Sequence, residues 1–174
     1  AKRRRATPAS LAQEIAEVFR RPQAVGPVRE ILETALAQAA APPLFPDAAP
    51  VLRQLRTNGF RVYALTNCLG SSVPAQEPEF HGLLDAVLCS ADTGWCKPER
   101  EAFATVEELS GLEPGQLLHV GDSLRADVAG ATAAGWHAAY LRRPGGQQAS
   151  AVAGLRAVTI TTLHDLIPRL PGLT

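Results

Sequence analysis

Three short polar clusters hold the residues with the most chemical capacity: Thr66-Asn67, Cys96-Lys97-Pro98 and Gly121-Asp122-Ser123, with Asp127 following closely. A hydroxyl beside strand-end main-chain N–H groups, as at Thr66 and Asn67, can hold the oxygens of an anion. Lys97 offers a compact point charge on a flexible stem. Asp122 is a hard oxygen donor suited to Mg²⁺, which keeps several waters and takes only one or two protein carboxylates. Asp127 can accept from a metal-bound water or orient Lys97. Each cluster also has a plain reading. A Thr-Asn pair after a strand makes a turn, a Lys before Pro is solvated surface, an Asp after Gly caps a helix, and Asp127 could face solvent. Their order along alternating elements makes them informative together.

Those elements follow from periodicity. Residues 1–9 read as a basic arm; Lys2, Arg3, Arg4 and Arg5 form either a targeting or phosphate-binding tag or a solvated terminus. Ser10 is the expected cap of a helix carrying Leu11, Ile15, Val18 and Phe19 on one face, broken by Pro22 and Gly26-Pro27. A second helix is expected over 28–40, and prolines at 42 and 43 make a stiff hinge. From 44 onward helices and strands alternate. Helices are expected from Asp47 to 57, from Pro98 at N1 to 109, after Ser123 to 134, and over 163–170. Strands are expected over 60–65, 85–89, 117–120, 137–141 and, at an edge, 158–160. This alternation predicts an α/β fold with a parallel sheet covered on both faces. Ligands in such sheets bind at the carboxyl ends of strands, where the polar clusters fall.

Composition narrows the classes. With 174 residues, 46% of them hydrophobic, the chain can bury a core and is too short for much beyond one domain. Seventeen basic and seventeen acidic residues give zero formal net charge, which argues against a nucleic-acid partner. No apolar run approaches the roughly 18 residues of a membrane span. Three cysteines, Cys68, Cys89 and Cys96, lack CxxC spacing and argue against a disulfide framework or a zinc site. A soluble protein of a reducing, cytoplasmic compartment is therefore expected. His81, His119, His137 and His164 show no ligand spacing; His119 and His137 read as core or sheet-face residues, and Trp95 and Trp136 as packing.

Leu65-Thr66-Asn67, Gly94-Trp95-Cys96-Lys97-Pro98-Glu99 and the run from Val120-Gly121-Asp122-Ser123 through Asp127 to Ala131 resemble the second, third and fourth motifs of the haloacid dehalogenase (HAD) superfamily. Phe45-Pro46-Asp47 and Ala134-Gly135-Trp136 are also typical of it. The resemblance covers about residues 44–168 and is strongest to phosphatase-type members with a small helical cap. It implies a Rossmann-like core over 44–174 and a cap portion over 10–43. It implies that Thr66 and Lys97 are catalytic, that Thr66, Asn67 and Lys97 bind a small phosphorylated substrate, and that Asp122 binds Mg²⁺ with Asp127 in support. The Gly-Asp pair with a second Asp resembles Mg²⁺-dependent phosphatases more than dehalogenases. The family's first motif, a strand ending in Asp-x-Asp that supplies the nucleophile and lies in the family's sheet between the strands ending at Thr66 and at Gly121, has no counterpart here. Asp47 is the earliest aspartate and lies in a Pro-flanked turn, so it is not read as that nucleophile. The expectation is a truncated chain; a catalytically silent HAD-like binding or regulatory module, or another segment in the empty slot, are the alternatives.

Overall fold

A computed structural model describes residues 7–38, 44–68, 80, 82–144 and 157–170. The basic run at 2–5, the hinge at 41–43 and His81 lie outside the described residues.

Thr7 and Ser10 form a reciprocal capping box that starts α1 (Pro8–Val18): the Thr7 hydroxyl accepts from Ser10 N at 3.1 Å, and Thr7 N donates to Ser10 Oγ at 2.8 Å. Ser10 is thus inside the helix rather than at its cap, and Pro8 and Ala9 belong to the helix rather than to the arm read over 1–9. Gly26-Pro27 lie in the first turn of α2 (Val25–Gln38), where proline removes no intrahelical bond, so the pair opens that helix instead of breaking the preceding one. Buried Ala12 and Ala16, one turn apart on α1, let α2 approach closely.

The α/β part contains α3 (Ala48–Thr57), β1 (Tyr63–Thr66), β2 (Ala86–Cys89), a short α4 (Ser90–Thr93), α5 (Arg100–Ser110) and β3 (Leu118–Gly121). A π-helical turn, Leu124–Ala129, leads into α6 (Gly130–Ala133), followed by β4 (His137–Leu141), β5 (Ala157–Ile160) and a 3₁₀ helix, Leu163–Arg169. β1 begins later than expected. Phe60 N closes α3 on Leu55 O at 3.0 Å, and Val62 N is taken by Asp85 Oδ2 at 2.6 Å. Pro98 does not open α5: the Lys97-Pro98 peptide is cis and the helix starts at Arg100.

All the strand pairs are parallel, with β1 beside β2 and the order β3-β4-β5 in a second piece. Among the described residues no strand pairs with the inner edges of β1 and β3. Alternate residues of β4 point to opposite faces. Ala138 and Tyr140 enter a cluster with Phe103, Val106, Val128 and Trp136, while Ala139 packs with Ile160 and Leu166. Helical segments therefore cover both faces, as the alternation of elements predicts.

Candidate active site

Hydrogen bonds through Lys97 bring the ends of β1 and β3 together. Thr66 is the last residue of β1 and half-buried; Gly121 is the last of β3, with Asp122 and Ser123 directly after it. Lys97 spans the two. Its main chain is gripped by the Asn67 side chain, whose Oδ1 accepts from Lys97 N at 2.8 Å and whose Nδ2 donates to Lys97 O at 2.9 Å. Its ammonium reaches the buried Asp127 carboxylate, Nζ to Oδ1 at 2.7 Å. The other carboxylate oxygen, Oδ2, accepts from Ser123 N at 2.8 Å.

The local sequence explains how Asp127 gets there. Asp127 N and Val128 N both bond to Ser123 O, at 2.9 and 3.1 Å, winding the chain into the wide π-helical turn. Gly121 lies against the Asp127 carboxyl group so closely that a Cβ there would overlap it. Glycine is therefore required by space, not by backbone angle. Burial pushes the Asp127 carboxyl up, but the hydrogen bonds from His119 and Lys97, the Lys97 charge and Ser123 N outweigh it. The group is held well below the ordinary carboxylate range and is ionised at neutral pH.

The cap of this turn is Ser123, whose hydroxyl accepts from Ala126 N at 3.0 Å. Asp122 is thus released from the capping role open to it on sequence grounds and is exposed at the rim. One exposed carboxylate suits an ion that keeps most of its waters, so the donor set fits Mg²⁺ through Asp122. Asp127 fits a supporting place, since Oδ1 already accepts from two donors and Oδ2 from one. Among the described residues no group of three or more His, Cys, Asp or Glu is gathered for a metal.

Asn67, Lys97 and Asp127 thus form one connected network, with Asp122 beside it and Thr66 one residue before Asn67. Sequence reasoning missed His119, whose Nε2 lies 2.9 Å from Asp127 Oδ1. Strand period two sets His119 on the face of Gly121, but that Gly121 abuts Asp127 is seen only in the fold. His137 and His164 are exposed. Trp136 is a packing residue, edge-on to Phe103 at 5.3 Å with Nε1 donating to Glu107 Oε1 at 2.7 Å.

The cysteine expectation needs correction. Cys68 and Cys89 form a disulfide with Cα atoms 5.9 Å apart. The β1–β2 register sets Thr66 opposite Cys89, so Cys68 falls just past that pair, a proximity hidden by a sequence separation of 21. The pairing removes the cysteine argument for a reducing compartment. Asp47 is likewise spoken for. It sits at the start of α3 without capping it, and its carboxylate receives both Arg143 terminal nitrogens, at 3.1 and 2.8 Å, and Leu163 N at 2.8 Å.

This fold, with a lysine and two aspartates at the rim of a parallel sheet, defines a class. The profile of the haloacid dehalogenase-like hydrolase family matches residues 5–135, and the chain belongs to that family. It is 33% identical over 103 residues to a glyceraldehyde 3-phosphate phosphatase of Methanopyrus kandleri, covering 57% of this chain and 43% of that protein. The chain spans about half the length of the curated relatives it matches. A HAD phosphatase from Thermococcus onnurineus has the same fold, with a TM-score of 0.62 at 22% identity over 95% of this chain and 88% of that one. So does a 2-haloacid dehalogenase from Pseudomonas syringae, with a TM-score of 0.66 at 24% identity over 87% of this chain and 61% of that one. Among the described residues no helix is long and apolar enough to cross a membrane.

Proposed function

We propose that this chain carries the phosphate- and metal-holding part of a Mg²⁺-dependent phosphatase acting on a small phosphorylated metabolite. The observation that carries the reading is Lys97, fixed at its main chain by Asn67 and at its ammonium by Asp127. Phosphoryl transfer depends chiefly on positioning and on neutralising charge at the transferred group. Thr66 Oγ and the strand-end N–H groups donate to phosphoryl oxygens, and Lys97 offsets their charge. Asn67 acts mainly by holding Lys97. Asp122 would hold Mg²⁺, with Asp127 outside the direct ligand set; a bound ion supplies further charge neutralisation. The reaction expected of the family runs through an aspartyl-phosphate, and among the described residues the two buried aspartates are not available for the attack. Asp47 is locked to Arg143, and Asp127 is committed to Lys97.

Phosphate-ester hydrolysis is favoured over carbon–halogen cleavage by the Gly121-Asp122 pair and its exposed carboxylate. The test is phosphate release from small phosphomonoesters by a version extended upstream to include an Asp-x-Asp strand. Activity abolished by EDTA and restored by Mg²⁺, and reduced at least a hundredfold by Asp122→Asn, is the expected result. Metal-independent halide release would reverse the assignment. A second reading is a silent HAD-like binding module, consistent with both buried aspartates being committed to basic partners. The extended version separates the two: turnover there supports the enzyme, and phosphate binding without turnover supports the module.

A further inference from the structure

His119 has no part in the motifs, yet its ring nitrogen Nε2 lies 2.9 Å from the oxygen of Asp127 that also receives Lys97. We infer that His119 is a positioning residue, holding Lys97 in place by donating Nε2–H to the Asp127 carboxylate. The inference rests on Lys97 being the phosphate-neutralising group.

A carboxylate only accepts, so a hydrogen bond at this distance requires the proton on Nε2. The neutral tautomer with that proton is sufficient. Oδ1 is then held between a donor on β3 and a donor on the connection before α5, while Oδ2 is held by Ser123 N. Three donors from three segments fix the carboxyl plane, and the Gly121 main chain blocks it from one side. The ring itself is clamped, edge-on to Phe103 at 5.7 Å and to Trp136 at 6.5 Å, and Trp136 is in turn tied to Glu107. His119 and Lys97 side chains are each 11% exposed, so water is poorly placed to replace a lost donor. The low Asp127 pKa agrees with these donors.

Two substitutions separate positioning from packing. His119→Phe keeps a ring against Phe103 and Trp136 but removes the donor. His119→Gln loses the ring but can present an amide N–H at similar reach. Inorganic phosphate binding to the 174-residue chain is measured by calorimetry with Mg²⁺ present. His119→Phe should weaken it about tenfold, and His119→Gln should bring it back to within about threefold of wild type. The opposite ranking, Phe near wild type and Gln weak, would overturn the inference in favour of packing.

Nitrogen-15 spectra give a second readout that needs no ligand, and its wild-type part needs no variant. In the wild-type chain His119 Nε2 should carry a proton and the Lys97 ammonium should be protected from solvent exchange. That ammonium signal should survive in His119→Gln and vanish in His119→Phe. A wild-type His119 without a proton on Nε2 sinks the positioning role outright. If the wild type binds no phosphate while the spectra behave as expected, the phosphate reading of the site fails and the His119–Asp127–Lys97 linkage stands.

Discussion

At the scale of single residues, the polar groups divide into those exposed at the rim and those spent on holding others. Asp122 is of the first kind, and Asn67, Asp127 and Asp47 are of the second. Asp47 shows how far a residue's type can be from its use. Its position before α3 suggests a cap, yet the carboxylate goes to Arg143, which also stacks over Phe45 with Cζ 3.9 Å from the ring centroid. Burial raises the Asp47 carboxyl, but the Arg143 hydrogen bonds, Leu163 N and the Arg143 charge hold it below its ordinary range. A carboxyl whose pKa is lower folded than unfolded stabilises the fold above the unfolded value, about pH 4, and loses that contribution as pH falls through the folded value. Asp47→Asn should therefore cost about 3 kcal/mol at pH 7, by leaving Arg143 without its charge partner in a largely buried place. Urea unfolding of wild type and variant at pH 7 and pH 2.5 checks this; the gap should narrow at the acid end. A gap independent of pH would mean that the amide repairs the pair or that shape alone matters.

Side chains outside the periodic pattern claimed the backbone at two places. Asp85 took Val62 N and delayed β1, and Ser123 took the cap role that the sequence also left open to Asp122. The order of strands and helices was legible from hydrophobic spacing, because that spacing reports which face is buried. The linkage of Asn67 to Lys97, and of Lys97 to Asp127, joins residues 30 apart in sequence, which no local pattern encodes. The motif resemblance supplied their grouping, but not that Asn67 grips a main chain. The disulfide is the clearest case of a contact set by register alone. Cys68 is also held to Ser90, whose hydroxyl accepts from Cys68 N at 3.0 Å, so the turn after β1 is tied to the end of β2 in two ways. Closing a loop of this length constrains the unfolded chain by about 3 kcal/mol in the chain-entropy view. A reductant should lower the unfolding midpoint accordingly, and the Cys68→Ser, Cys89→Ala double variant should show the lower midpoint with or without reductant. Equal midpoints for reduced and oxidised wild type would mean that the Ser90 bonds alone secure the turn.

Across the whole molecule, the sheet is in two parallel pieces, and the catalytic candidates sit on both. β1 carries Thr66 and Asn67 at its end; β3 carries Asp122, and the turn after it Asp127. Among the described residues the rims of the two pieces are joined through Lys97, by hydrogen bonds at its main chain and an ion pair at its ammonium. The break falls between β1 and β3, the place to which the resemblance assigns a first-motif strand. Burial follows the same division: Ala138, Ala139 and Tyr140 of β4, which has a neighbour on each side, are buried, whereas every residue of β1 and β3 is only half-buried. Unpaired strand edges leave main-chain N–H and C=O groups to water, and such groups open with little free-energy cost. Amide hydrogen exchange should therefore be slowest in β4 and faster in those amides of β1 and β3 that point toward the break. In a version extended upstream by an Asp-x-Asp strand, these same amides should slow by at least tenfold, with β4 unchanged. Slow exchange at both inner edges in the 174-residue chain would show that they are already covered, and the nucleophile would then have to be sought in whatever segment covers them.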